Sequence, residues 1–261
     1  MVRRLKLPKY APPDPLTSTA LPIQQFEAQA LAAAQAMLQA CITVNLAPVA
    51  DTQPDAQSGA EADVYIHRGY ANRPVLAGRY AGAFARAMRR AGVIPTWKHF
   101  PGHSASTRIM QPADLAQQRW FAPAHKEAAV DSGSKLALAT TAQAFASDMP
   151  AFLMLSVAIF QAYGSQPAVL SAELVALARA AQPNALLVAD DLATLLWSDD
   201  DLLQIFSHVD LLMSSRRAVT ADLLQRLENL RAQGRITQEQ LKEKAAVQMR
   251  WRKKWRDLVS R

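Results

Sequence analysis

Five short apolar runs recur along the 261-residue chain and constrain its fold more than any other feature. The stretches between them are amphipathic or alanine-rich, as at 23–40 and 75–91, and predict helices. Apolar runs that alternate with helices are typical of parallel strands joined by crossover helices. The predicted strands span 42–49, 93–99, 151–157, 185–190 and 209–214, and 135–140 is a sixth candidate. The pattern therefore predicts an α/β fold.

Ionisable side chains mark the carboxyl ends of three of these runs. In a parallel barrel these ends meet at one rim, and barrel enzymes carry their chemistry there. A Pro-Gly turn at 101–102 then directs the chain away from the second run. The side chains are Asp51 after the first run, Lys98 and His99 in the second, and Asp190 and Asp191 around the end of the fourth. We expect a functional site at this rim.

The heptapeptide at 97–103, WKHFPGH, resembles the signature of family 3 glycoside hydrolases, in particular the bacterial β-N-acetylhexosaminidases. NLAPVAD at 45–51 and ALLVADDL at 185–192 are similar to two further motifs of that family. The resemblance spans about residues 20–257 and implies a TIM-like (β/α) barrel. The family's earlier Asp-Gln-Glu-Gly-Gly-Arg strand has no counterpart here. We therefore expect an incomplete barrel of about five or six parallel strands.

The resemblance also implies roles for four residues. Asp190 corresponds to the nucleophile of a retaining hydrolase, which attacks the anomeric carbon of a β-linked sugar such as an N-acetylglucosaminide. Arg68, Lys98 and His99 correspond to sugar-binding residues, and a planar guanidinium suits two sugar oxygens at once. Structural alternatives remain open for each of them. Asp190 and Asp191 would also suit a helix cap, Lys98 and His99 a strand end, and Arg68 a surface loop.

The family's acid/base residue is the His of an Asp-Ser-His triplet, and this chain lacks that triplet after its signature. The nearest echo is VDSG at 130–133, with Gly133 in place of His. His125 lies on a predicted helix at 112–130 and is a weak substitute. The alternative function is therefore a catalytically weakened homologue that binds a sugar or a protein partner.

Proline content separates a predicted N-terminal arm at 1–22 from a partial barrel domain at 23–261, which ends in a long C-terminal helix. An incomplete barrel exposes sheet edges, which predicts either a homo-oligomer or coverage by the arm. No run approaches the roughly 18 apolar residues of a membrane span, and no apolar region follows the basic N-terminus, so we predict a cytoplasmic protein.

The net charge of +7 is concentrated partly in WRKKWR at 251–256, which raises nucleic acid or acidic lipid as a partner. We favour a solvated helix face whose two tryptophans pack inward, and hence a carbohydrate ligand and no nucleic acid. Nothing resembles a P-loop, a GxGxxG fingerprint or a Cys/His metal cluster, so no cofactor and no metal are expected. The single cysteine, Cys41, excludes an internal disulfide framework.

Overall fold

The computed structural model describes residues 19–52, 68–103, 107–110 and 128–260. Within these residues the helices are α1 Ile23–Gln39, α2 Pro74–Arg90, α3 Lys135–Ala142, α4 Ala172–Ala181, α5 Asp199–His208, α6 Arg217–Ala232 and α7 Gln238–Val259. The strands are β1 Val44–Asn45, β2 Ile94–Phe100, β3 Thr107–Met110, β4 Ala128–Asp131, β5 Phe152–Leu155, β6 Ile159–Phe160 and β7 Leu186–Ala189.

The main sheet has the strand order β1-β2-β5-β7, and every neighbouring pair is parallel. Leu211 adds an isolated parallel bridge to Val188 beyond β7. The four strands of the main sheet therefore lie side by side in their order along the chain, as in a TIM barrel. The described residues form an open sheet. These observations confirm the predicted α/β fold and the incomplete TIM-like barrel.

Three of the sequence predictions need correction. Residues 135–140 belong to helix α3, because the Ser134 hydroxyl accepts the Ala137 N–H at 3.2 Å and caps a helix there. The run at 209–214 contributes only the bridge at Leu211. The helix expected over 112–130 is wrong at its end, because Ala128–Asp131 is strand β4. Residues 112–127 lie outside the described part of the chain.

A second, smaller sheet was not foreseen from the sequence. It has the order β3-β4-β6, with β3 antiparallel and β6 parallel to β4. The pairing sets Asp131 opposite Phe160. This sheet therefore brings the end of β4 beside the start of the segment that follows β5.

The helix caps agree with the sequence prediction. The Ser171 hydroxyl caps α4 by accepting the Leu174 N–H. Thr237 and Gln240 form a reciprocal capping box at the start of α7, which runs to Val259 as expected. Helices α1 and α2 pack against the sheet, and the buried Asn45 amide donates to the sulfur atoms of Met37 and Met88 at 3.5 Å each.

Helix α7 closes the amino-terminal end of the sheet. Trp251 and Trp255 stack with their ring centroids 5.7 Å apart, and each is only 7% exposed. They pack on Ile94, Phe152 and Leu186, the first residues of three strands. We call this contact the floor of the sheet. The inward packing of the two tryptophans is confirmed.

Candidate active site

The side chains predicted at the rim do lie together at the carboxyl ends of the main strands. The Asp190 carboxylate is 23% exposed, and its Oδ2 lies 3.9 Å from Nε2 of His99. Lys98 is close enough to Asp190 and to Arg68 for both charges to alter its pKa. Arg68 is half-buried and lies in the segment that precedes α2. One partly exposed carboxylate thus faces an imidazole, and Lys98 lies within reach of its charge.

Asp51 anchors this rim. Its Oδ2 lies 2.7 Å from Nδ1 of His99, and its Oδ1 accepts the backbone N–H groups of His99 at 2.9 Å and His103 at 3.1 Å. Burial alone would raise the pKa of Asp51, but the His99 ring, the His103 ring and the His99 N–H hold this pKa well below its usual range. Asp51 is therefore a buried carboxylate in its charged form.

Lys98 sits in an environment that disfavours its charge. Its side chain is buried within strand β2, and the residue is 7% exposed. Burial, reinforced by the Arg68 guanidinium, lowers the pKa of Lys98 to about 8, although Asp190 and Asp51 act in the opposite direction. The ammonium group therefore loses its proton at a lower pH than an ordinary lysine, at about 8.

His103 extends the cluster toward the second sheet. Its ring centroid lies 5.4 Å from that of His99 and 5.9 Å from that of Phe160, on which it stacks. Burial lowers the pKa of His103, the charge of His99 adds to this effect, and the carboxylates of Asp51, Asp131 and Asp190 oppose it. Both sheets thus contribute to the surroundings of one imidazole.

The two adjacent carboxylates after β7 have different surroundings. Asp191 caps the turn at Leu192–Thr194, accepting the N–H groups of Ala193 at 3.1 Å and Ser215 at 2.8 Å. Asp190 accepts the Asp191 N–H at 2.8 Å with one oxygen, and its other oxygen faces His99. The capping alternative therefore holds for Asp191, whereas Asp190 is directed at the rim.

The sequence placed Asp51 at the rim without giving it a role, and His103 was not predicted as a site residue. Both signals were present: Asp51 follows an apolar run just as Asp190 does, and His103 ends the signature heptapeptide. Asp131, in the displaced VDSG echo, is fully buried at the end of β4 and accepts the Gly133 N–H at 2.8 Å. That segment is a strand end in the second sheet. His125 lies outside the described residues.

One set of described residues offers ligand atoms for a metal ion. Asp51, His99 and His103 each place one such atom within 4.8 Å of the others. Two ligands bound tetrahedrally to one zinc ion at 2.0–2.1 Å are about 3.3 Å apart. The 2.7 Å between Asp51 and His99 is shorter and matches a hydrogen bond. A metal ion would have to displace that shared proton.

Comparison with known proteins identifies the family of this chain. The profile of the Glycosyl hydrolase family 3 N terminal domain matches residues 12–249. The β-hexosaminidase LpqI of Mycobacterium tuberculosis is 38% identical over 82 residues, which are 31% of this chain and 20% of that protein. The match thus spans about a fifth of that relative's length.

Two solved structures show the same fold. A family 3 glycosyl hydrolase from Mycobacterium smegmatis is 25% identical, with a TM-score of 0.70 over 90% of this chain and 72% of that chain. A β-N-acetylhexosaminidase from Beutenbergia cavernae is 23% identical, with a TM-score of 0.69 over 98% of this chain and 73% of that chain. Since the family profile covers most of the sequence and the folds agree, this chain belongs to family 3 of the glycosyl hydrolases.

Proposed function

We propose that this protein hydrolyses a β-linked sugar with retention of configuration, using Asp190 as the nucleophile. The observation that carries the proposal is the partly exposed Asp190 carboxylate, which faces His99 at 3.9 Å at the end of β7. Asp191 is engaged as a cap, so Asp190 is the carboxylate of this pair that is available to a substrate. Hexosaminidase relatives favour an N-acetylhexosaminide as the sugar.

In the proposed reaction an oxygen of Asp190 bonds to the anomeric carbon while the bond to the leaving oxygen breaks. The leaving oxygen takes a proton from a general acid, and a water molecule later releases the sugar from Asp190. Arg68, Lys98 and His99 would hold the sugar hydroxyls beside the carboxylate. A retaining mechanism places the acid roughly 5 Å from the nucleophile, and we assign no residue to that role.

Covalent trapping tests the nucleophile. The protein is incubated with a 2-deoxy-2-fluoro activated glycoside and analysed by intact mass and peptide mapping. We expect a stable adduct on Asp190 in the native protein and none in Asp190→Asn. Asp148→Asn, which changes an exposed carboxylate, is the matched control and retains the adduct. An adduct on another residue would overturn the assignment.

The missing Asp-Ser-His triplet favours a second candidate, a homologue that binds sugar without efficient turnover. Loss of a general acid typically removes ~10²–10⁴ of rate. Folded protein that forms no adduct with several sugars and does not cleave an aryl β-N-acetylglucosaminide would support this candidate. Sugar affinity that falls on changing Arg68 or Lys98 to methionine would then identify the same rim as a binding site.

We also propose a homo-oligomer that covers the open end of the sheet. Val44 and Leu46 lie on or beside β1, at one end of the strand order, and are 36% and 41% exposed.

In the described part of the chain, no helix has the length and apolar character needed to cross a bilayer. We further propose a cytoplasmic location, an N-terminal arm at 1–22 and a single domain at 23–261. The exposed free thiol of Cys41 fits a reducing compartment.

A further inference from the structure

We propose that Asp51 is a positioning residue that fixes the tautomer and orientation of His99, so that Nε2 of His99 faces Asp190 and the sugar. This inference deepens the proposed function and rests on it. Asp51 does not face the substrate position itself, because it is 4% exposed and lies behind the imidazole. Its action on the reaction would pass through His99.

The two carboxylate oxygens of Asp51 have different hydrogen-bond partners. Oδ1 accepts two backbone N–H groups, those of His99 and His103, and so holds the turn after β2 in place. Oδ2 instead contacts the ring, at 2.7 Å from Nδ1 of His99. The structural bonds and the bond to the imidazole can therefore be separated chemically.

The bond to Oδ2 decides which ring nitrogen carries the proton. A charged carboxylate is an acceptor only, so Nδ1 must donate to it. In the neutral ring Nε2 is then an acceptor, and in the charged ring both nitrogens donate. Nε2 lies 3.9 Å from Asp190, which leaves this nitrogen directed at the nucleophile and at any sugar hydroxyl beside it.

Asparagine at position 51 removes only one of these functions. In Asp51→Asn the amide oxygen can still accept both backbone N–H groups, while the amide NH₂ replaces Oδ2 opposite Nδ1. Because an NH₂ group donates, Nδ1 must become the acceptor and the proton must move to Nε2. The change thus inverts the tautomer while the turn keeps its hydrogen bonds.

The tautomer is read directly by NMR of ¹⁵N-labelled imidazoles, recorded between about pH 5 and pH 9. His99 is assigned among the five histidines by the signal missing from His99→Gln. We expect the native protein to carry its neutral-ring proton on Nδ1 of His99 and Asp51→Asn to carry it on Nε2. Asp148→Asn is the control and should leave the signal unchanged.

Kinetics and binding then test whether the orientation matters. We expect Asp51→Asn to lower kcat/KM on the order of 10²-fold or more, with a changed pH profile and no comparable loss of folded protein by circular dichroism. The double variant with His99→Gln should be no worse than His99→Gln alone, since Asp51 acts through that ring. If the native protein proves inactive, sugar affinity replaces kcat/KM in the same comparison.

Two results would overturn the inference. One is an unchanged His99 tautomer in Asp51→Asn. The other is a pair of losses that add in the double variant, which would mean that Asp51 acts independently of the His99 ring. Neither result depends on whether Asp190 forms an adduct, so failure of this inference and failure of the proposed nucleophile are distinguishable.

Discussion

Lys98 is the residue at which folding and sugar binding make opposite demands. In the proposed site its ammonium group donates to sugar oxygens, yet burial beside Arg68 lowers its pKa to about 8. The unfolded chain, with an ordinary lysine pKa of 10.5, holds this proton between about pH 8 and pH 10.5, whereas the folded chain does not. The contribution of Lys98 to the free energy of unfolding therefore rises as the pH increases from about 8 to about 10.5. This contribution is lowest below about pH 8.

Sugar binding should weaken as the pH rises through about 8, because Lys98 then loses its charge and one donor. We expect the dissociation constant for N-acetylglucosamine, measured by calorimetry between about pH 6 and pH 9.5, to increase across this step. In Lys98→Arg the step should disappear, because a guanidinium stays charged in this range. An identical step in Lys98→Arg would assign the titration to another group.

Lys98→Met should bind sugar poorly and yet be more stable than the native protein. Removing the buried charge is expected to raise the free energy of unfolding at pH 7 by about 1–3 kcal/mol, measured by urea denaturation. The exposed Lys242→Met is the matched control and should change it by less than about 0.5 kcal/mol. A destabilised Lys98→Met would contradict the desolvation argument.

At the scale of single elements, strand β2 and helix α7 carry most of the organisation. Strand β2 is fully embedded between β1 and β5 and ends in the turn that holds the rim residues. Helix α7 is fixed at the opposite end, where Trp251 lies 5.2 Å from Phe152 between ring centroids and its Nε1 donates to the Asn184 carbonyl at 3.0 Å. Each element can be tested by one substitution with an internal control.

Gly102 closes the turn after β2 and should not tolerate a side chain. Its φ is +106°, and an added Cβ would lie 3.0 Å from the Phe145 ring and 3.4 Å from Thr141. We expect Gly102→Ala to cost about 2–4 kcal/mol of unfolding free energy in urea denaturation. Gly164→Ala has a similar φ of +116° and nothing within 4 Å, so about 1–2 kcal/mol is expected there. Equal losses would mean that the contact with Phe145 is unimportant.

Trp251→Ala should remove much of the floor contact. Loss of a buried tryptophan and its hydrogen bond is expected to cost about 3–5 kcal/mol of unfolding free energy, measured by urea denaturation. Met249 lies on the same helix and is 70% exposed, so Met249→Ala should cost less than about 0.5 kcal/mol. If Trp251→Ala were as mild as Met249→Ala, the terminal helix would not be part of the stable core.

At the scale of the whole molecule, the open sheet is the feature that most needs an explanation. Soluble proteins protect the edges of their sheets, and β1 ends the strand order of the described sheet with two exposed apolar side chains nearby. A second copy of the chain would bury those side chains. This is the reason for the proposed oligomer.

Sedimentation velocity tests that oligomer. We expect the native protein to sediment as a dimer or larger species at micromolar concentration, and Val44→Lys with Leu46→Glu to shift it to a monomer. Leu136→Glu, at a residue that is 79% exposed far along the chain, is the control and should not change the species. A monomeric native protein would remove the oligomer from the proposal.

The sequence predicted those parts that depend on local pattern. Apolar runs located the strands of the main sheet, and Thr237 with Gln240 located the start of α7. The run at 135–140 was assigned wrongly because a short apolar run does not distinguish a strand from a helix, and the deciding residue is the Ser134 cap.

The candidate site was predictable only in part, for a physical reason. Lys98, His99 and Asp190 lie at strand ends, which a one-dimensional pattern reveals. The partnership of Asp51 with His99 joins residues 48 positions apart, and it depends on the parallel bridge that sets Val49 beside Lys98. No local signal in the sequence encodes that contact.

The placement of α7 has a consequence for how this protein can change over evolution or in the laboratory. Strand β2 meets the tryptophans at Ile94 and presents Lys98 and His99 at its other end. Scaffold and chemistry thus occupy opposite ends of the same strand. Stabilising substitutions at the floor can accumulate without touching the rim, and the reserve they provide would let rim residues be varied to accept other sugars. Because α7 supplies stability at the floor, the rim residues can change without loss of the fold.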